Sequence, residues 1–147
     1  ILKQQNHEIK INSISLEREK LGEYDVIILG ASIRYGKHQK SVFNFINKHK
    51  DLLETKNSAF FSVNVVARKS EKNSPYTNPY MKKFLKISKW QPNKLGVFAG
   101  KVDYPSYKFF DKYIIRMIMW ITKGPTDISQ SYEFTDWKVV ENFAKTL

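Results

Sequence analysis

The stretch Tyr24–Gly36, YDVIILGASIRYG, decides how the rest of the chain is read. Val26, Ile27, Ile28 and Leu29 form an unbroken, mostly β-branched run with no polar face. Such runs suit a strand buried on both sides, which predicts a central position in a parallel sheet. Gly30 ends the run, and Ala31 and Ser32 follow where a loop leaves the carboxyl end of the strand. In open α/β sheets that edge is where ligands bind.

Working outward, 147 residues are enough for one domain with a single core. A hydrophobic share of 41% excludes a disordered chain, and 14% aromatic residues supply stacking surfaces as well as core. Lys and Arg number 25 against 14 Asp and Glu, and the resulting net charge of +11 implies an acidic partner. Nucleic acid, an anionic membrane surface and an anionic small molecule all satisfy that condition. With no cysteine there is no disulfide, thiolate metal site or cysteine nucleophile. The longest apolar stretch, Tyr113–Ile121, is broken by Arg116 and is too short to span a bilayer.

Along the chain, Ile1–Asn6 reads like the tail of a helix, and Glu8–Ile14 alternates like an exposed-edge strand. Ser15–Glu23 is a charged connector with Gly22 as a turn. Ser41 is placed as the N-cap of a helix carrying Val42, Phe45, Ile46, His49, Leu52 and Leu53 at helical spacing. His49 lies on that apolar stripe and is assigned to packing rather than catalysis. Asn57–Ala67 is the next strand, followed by a polar loop, Arg68–Asn78. Asn78 and Pro79 start a helix that ends near Trp90. Leu95–Ala99 is a third buried strand closed by Gly100. A last helix is capped at Thr135 or Asp136 and buries Val140, Phe143, Ala144 and Leu147. The alternation predicts an α/β fold with a parallel sheet.

Chemical motifs are sparse. His7, His38 and His49 are scattered without metal-ligand spacing, and GxSxG, GxGxxG and GxxxxGK[ST] are all absent. Catalysis would then need a cofactor. Two loops, Ala31–Lys37 and Asn64–Asn78, leave neighbouring strand ends. They are either the walls of a slot for a flat aromatic cofactor stacked on Tyr35, or two solvated basic loops.

A resemblance bears on that choice. GASIRYG (Gly30–Gly36), AFFSVNVVARKSEKNSPYTNPYMKKFL (Ala59–Leu85), VFAGKVDYPSYKFFDKYIIRMIM (Val97–Met119) and FTDW (Phe134–Trp137) resemble the flavodoxin-like, quinone-dependent protoporphyrinogen IX dehydrogenases of bacterial haem synthesis. The resemblance implies a five-stranded, flavodoxin-like open parallel sheet with helices on both faces, and an FMN cofactor. It implies oxidation of protoporphyrinogen IX, with electrons passed to a membrane quinone such as menaquinone, in the cytoplasm at the periphery of the inner membrane. Carried onto this chain, Ser32, Ile33, Arg34 and Tyr35 would flank the isoalloxazine ring, with Asn64, Val65, Val66, Ala67 and Arg68 opposite. No acid or base is assigned. Family members open with a strand and a hydroxyl-rich phosphate loop, and neither is found in this sequence. Roughly 20 to 25 upstream residues are therefore expected to be missing, and these residues alone to bind FMN weakly or not at all.

Tyr104–Lys123 is a helical insertion that a minimal flavodoxin fold does not need. Lys108, Lys112 and Arg116 fall at i, i+4 spacing in an otherwise apolar helix that includes Trp120. The sequence leaves open a core helix, a porphyrin-binding wall, or a segment on the membrane with basic side chains toward lipid headgroups. Two other functions remain: a flavodoxin-like electron-transfer or interaction domain without substrate chemistry, and a basic nucleic-acid-binding domain. Nucleic acid is not expected, because the lysines are dispersed and no recognition motif is present.

Overall fold

A computed structural model describes residues 1–14 and 20–147. Three parallel strands, β1 (Val26–Ser32), β2 (Asn57–Val63) and β3 (Lys94–Phe98), make one sheet in the order β1-β2-β3. Leu29 pairs with Phe60 and Phe60 with Leu95, so alternate residues of all three strands share a face. Ile27, Leu29, Phe60 and Val97 point to one side. They pack against α1 (Lys40–Lys48), α2 (Lys50–Thr55) and α3 (Pro79–Ser88) through Val42, Ile46, Leu53, Met81 and Phe84. The Phe60 and Phe84 rings stack at 3.7 Å, with Trp90 edge-on to both. On the other side Phe143 of α5 (Trp137–Lys145) sits 5.6 Å from Phe98 and 6.3 Å from Phe61.

A two-stranded antiparallel ribbon, β4 (Lys101–Asp103) with β5 (Ser131–Glu133), stands beside the sheet. Between its strands run a short 3-10 turn, Tyr104–Ser106, and α4 (Phe109–Ile121). Met119 of α4, Val102 and Tyr104 form a second small core, joined by Ile115, Tyr107 and Tyr132.

Several expectations change. Among the described residues β1 pairs only with β2 and stands at the edge of the sheet, where a central position was expected. Its outer face is correspondingly open at Ile28. The parallel sheet has three described strands rather than the five the resemblance implies. Residues 8–13 form no strand: no described strand pairs with them and Ile11 is 89% exposed, leaving the alternation nothing to pack on. Of the predicted connector, residues 15–19 lie outside the described residues, and Leu21–Glu23 is a 3-10 turn.

The first helix begins at Lys40 with Gln39 as N-cap, so Ser41 lies inside it. It breaks at His49, where φ is −114°, and restarts as α2. His49 is half-buried with its ring 4.9 Å from that of Phe45. The second strand ends at Val63, and Val65–Arg68 is a 3-10 turn. Asp136 rather than Thr135 caps the last helix, and Val140, Phe143, Ala144 and Leu147 are half-buried rather than buried.

Asn78 does what the Asn-Pro pair predicts. Its Oδ1 accepts from the backbone N–H of Tyr80 and Met81 at 3.1 and 3.2 Å, and Pro79 opens the helix. Its side-chain amide also donates to Lys72 O and to Asn64 Oδ1 from a fully buried position. Asn78→Ala should therefore cost about 2 to 3 kcal/mol, the loss of a cap plus buried partners left unpaired. Urea denaturation would measure it, and Asn78→Asp should recover only the cap.

Candidate functional site

The carboxyl ends of the three parallel strands meet at a cavity of about 320 Å³. One wall is the loop after β1: Ser32, Ile33, Arg34, Tyr35 and Gly36 all line it. Arg34 and Lys37 exchange backbone hydrogen bonds at 3.0 and 3.2 Å, with Tyr35 and Gly36 at positive φ of 49° and 73°. That is a type I′ turn, natural for Gly36 and strained for a tyrosine. It leaves the Tyr35 ring 68% exposed at the mouth.

The opposite wall is Asn64, Val65 and Val66 after β2, and Gly100, Lys101 and Val102 after β3 form a third. Gly100 has a φ of 75°, and a Cβ there would stand 2.6 Å from Val63, so chain and strand meet only because this residue has no side chain. Helix α4 closes the remaining side with Asp111, Ile114, Ile115, Ile118 and Met119.

Beneath the floor runs a line of buried polar side chains. Asn78 donates to Asn64 Oδ1 at 3.1 Å, and Asn64 donates to Ser62 Oγ at 3.2 Å. Ser62 Oγ lies 3.0 Å from His38 Nε2. The direction of that last bond follows the tautomer of the imidazole. Burial among Phe43, Phe60 and Phe84 pushes the His38 pKa down from 6.5 to about 4, which favours the neutral ring.

At the mouth, Tyr35 donates its hydroxyl to Asp111 Oδ1 at 2.6 Å, joining the first loop to α4. The bond to the carboxylate, with its negative charge, holds the Tyr35 phenol above its ordinary pKa. Asp111 is the one carboxylate among the lining residues, and Arg34 and Lys101 are the cations there.

Of the residues the sequence nominated, Ser32, Ile33, Arg34, Tyr35, Asn64, Val65 and Val66 are brought together around this cavity. Ala67 and Arg68 do not line it. Ala67 is buried in the main core. Arg68 turns away to donate to Val65 O, Thr122 O and Thr122 Oγ1, at 3.0, 2.8 and 2.8 Å. It is a strut between the β2 loop and the end of α4. Lys108, Lys112, Arg116 and Trp120 do not line the cavity either; Lys108 is the exposed N-cap of α4, and Arg116 and Trp120 are exposed. The sequence reading missed Tyr80, Lys101, Tyr107, Asp111, Ile114 and Ile118. Gly100, closing a parallel strand, was the available signal for the third wall. Among the described residues no group of His, Asp and Glu is arranged to hold a metal ion.

The lining combines apolar walls from valine and isoleucine with an aromatic residue at the mouth, a composition that suits an aromatic ligand. Its volume is at the small end for ligand pockets.

The flavodoxin domain family model matches residues 1–129. Protoporphyrinogen IX dehydrogenase [quinone] of Escherichia coli strain K12 is 42% identical over 132 residues, which is 90% of this chain and 73% of that protein. The protein of the same name from Escherichia coli O157:H7 gives the same figures, 42% over 132 residues. One from Leishmania major is 47% identical over 124 residues, covering 84% of this chain but only 54% of that protein. No solved structure matches. The chain belongs to the flavodoxin domain family and, within it, to the protoporphyrinogen IX dehydrogenases [quinone].

The buried line beneath the cavity predicts a pH dependence. A folded-state pKa of about 4 against 6.5 unfolded means the unfolded chain takes up a proton first as pH falls. The contribution is complete above pH 6.5 and lost as pH falls toward 4, a matter of about 2 to 3 kcal/mol. Urea midpoints of wild type and His38→Gln across that range should converge at the acid end, the wild type losing more.

Proposed function

We propose that this chain oxidises protoporphyrinogen IX to protoporphyrin IX with FMN in the cavity described above, and passes the electrons to a membrane quinone. The observation that carries the reading is the meeting of two loops at the sheet's carboxyl edge, around a cavity of about 320 Å³ with valine and isoleucine in its walls. Homologues named for this reaction point the same way.

A bound flavin supplies the hydride chemistry, so the protein's task is binding, orientation and exclusion of water. Val65, Val66, Ile33 and Ile115 would give the ring an apolar bed. Arg34 offers positive charge to an anionic ligand, a phosphate or a propionate, whereas Lys101 is already paired with Asp103 at 2.9 Å. Tyr35 keeps its proton at Oη, directed to Asp111 Oδ1, and so holds the loop against α4. The tetrapyrrole is too large to share the same slot and would approach from the open side. The site of work is the cytoplasmic periphery of the inner membrane, where the quinone is dissolved.

An anaerobic assay with protoporphyrinogen IX, FMN and a soluble menaquinone analogue tests the proposal. Porphyrin fluorescence should rise only when both flavin and quinone are present. If the protein binds flavin and reduces or oxidises quinone but leaves the porphyrinogen untouched, it is an electron-transfer domain instead.

A further inference from the structure

We propose that the outer face of α4 is a docking surface for an anionic lipid bilayer, and that the cavity opens along its margin. Of the 13 residues of α4, eight are large exposed hydrophobics, although a surface helix ordinarily turns polar residues outward. Only Met119 is fully buried, and Ile115 is half-buried beside it, so a core role accounts for that row alone.

At 100° per residue the helix has distinct faces. Met119 and Ile115 point into the small core. Asp111, Ile114 and Ile118 face the cavity. Phe110, Tyr113, Met117, Trp120 and Ile121 face outward, with Phe110 79% and Trp120 74% exposed. Lys112 and Arg116 lie along one flank, with Lys108 before the helix and Lys123 after it. The helix contains one acid, Asp111, and it is bonded to Tyr35 rather than turned outward.

Apolar side chains edged by cations, aromatic residues included, match the interfacial region of a membrane with anionic headgroups. Among the described residues no helix is long and apolar enough to cross a membrane. The fit is therefore with a helix lying in the surface plane. A second copy of this chain is the competing occupant. A chain of net charge +11 that edges this face with cations opposes self-pairing and favours an anionic surface.

The helix is held rigidly for this role. Arg68 grips the carbonyl of Thr122 at its carboxyl end, and Tyr35 binds Asp111 near its amino end. Ile114 and Ile118 both line the cavity and remain 38% exposed. The cavity margin thus borders the docking face, which lets a lipid-soluble quinone enter without crossing water. That last link rests on the function proposed above; the docking face does not.

The test uses the flavin-free chain and phosphatidylglycerol-rich vesicles, with pure phosphatidylcholine vesicles as control, so it reads docking separately from catalysis. Wild type should float with the anionic vesicles, and its tryptophan emission should shift to the blue. Phe110→Ser/Met117→Ser/Trp120→Ser should lose about tenfold or more in vesicle affinity with its melting temperature kept. If that triple variant fails to fold, Trp120→Glu alone should show the same loss of binding. Lys112→Glu/Arg116→Glu should abolish the preference for anionic lipid. Failure of wild type to bind, or unchanged binding by the folded variants, overturns the proposal. So does wild-type dimerisation that the triple variant abolishes, which would make the face an interface between copies.

Discussion

The Ser62 hydroxyl, buried at the end of β2 between Asn64 and His38, is the contact on which the site depends. It belongs to a buried relay in which Asn78 donates to Asn64, Asn64 donates to Ser62, and Ser62 shares a hydrogen bond with His38. Each buried polar group has its partner only while the neighbouring segments stay in place, and an orphaned one costs about 1 to 3 kcal/mol. The relay therefore fixes three pieces of chain against one another: the loop leaving β1, the end of β2 and the start of α3. Those pieces set the spacing of two cavity walls. Burial of His38 favours its neutral form, so acid works against this part of the structure.

The second constraint is the attachment of α4. The helix has its own small core under Met119 and Tyr104, yet it completes the cavity of the main sheet. Two polar contacts span the junction, Tyr35 with Asp111 and Arg68 with Thr122. Both originate in the loops that form the cavity walls. The inserted helix is thus placed by the ligand-binding loops themselves. Its outward face remains free for a partner while its inner face serves the site.

How much of this is legible in the sequence follows from how local each cause is. The strand beginning at Val26, the Asn78–Pro79 helix start and the glycine closing the third strand are local signals, and the structure follows them. The loops 31–37 and 64–78 were recognisable as site candidates because they leave parallel strands. Their finer division was not. Arg68 was assigned to the cavity wall by the family resemblance, but its partner is Thr122, 54 residues away. Tyr35 and Asp111 are 76 residues apart, and no periodicity joins them. An apolar run such as Val26–Leu29 reports low polarity, not how many neighbours a strand has, and among the described residues β1 pairs with β2 alone.

The central claim is that a flavin ring lies between the loops after β1 and β2. Amide chemical shifts of the isotopically labelled protein, followed by NMR during titration with FMN, test it most directly. The account predicts saturable shifts concentrated at Ser32–Gly36, Asn64–Val66 and Gly100–Lys101, with α5 unmoved. Saturable shifts centred elsewhere, with these loops unmoved, would contradict it.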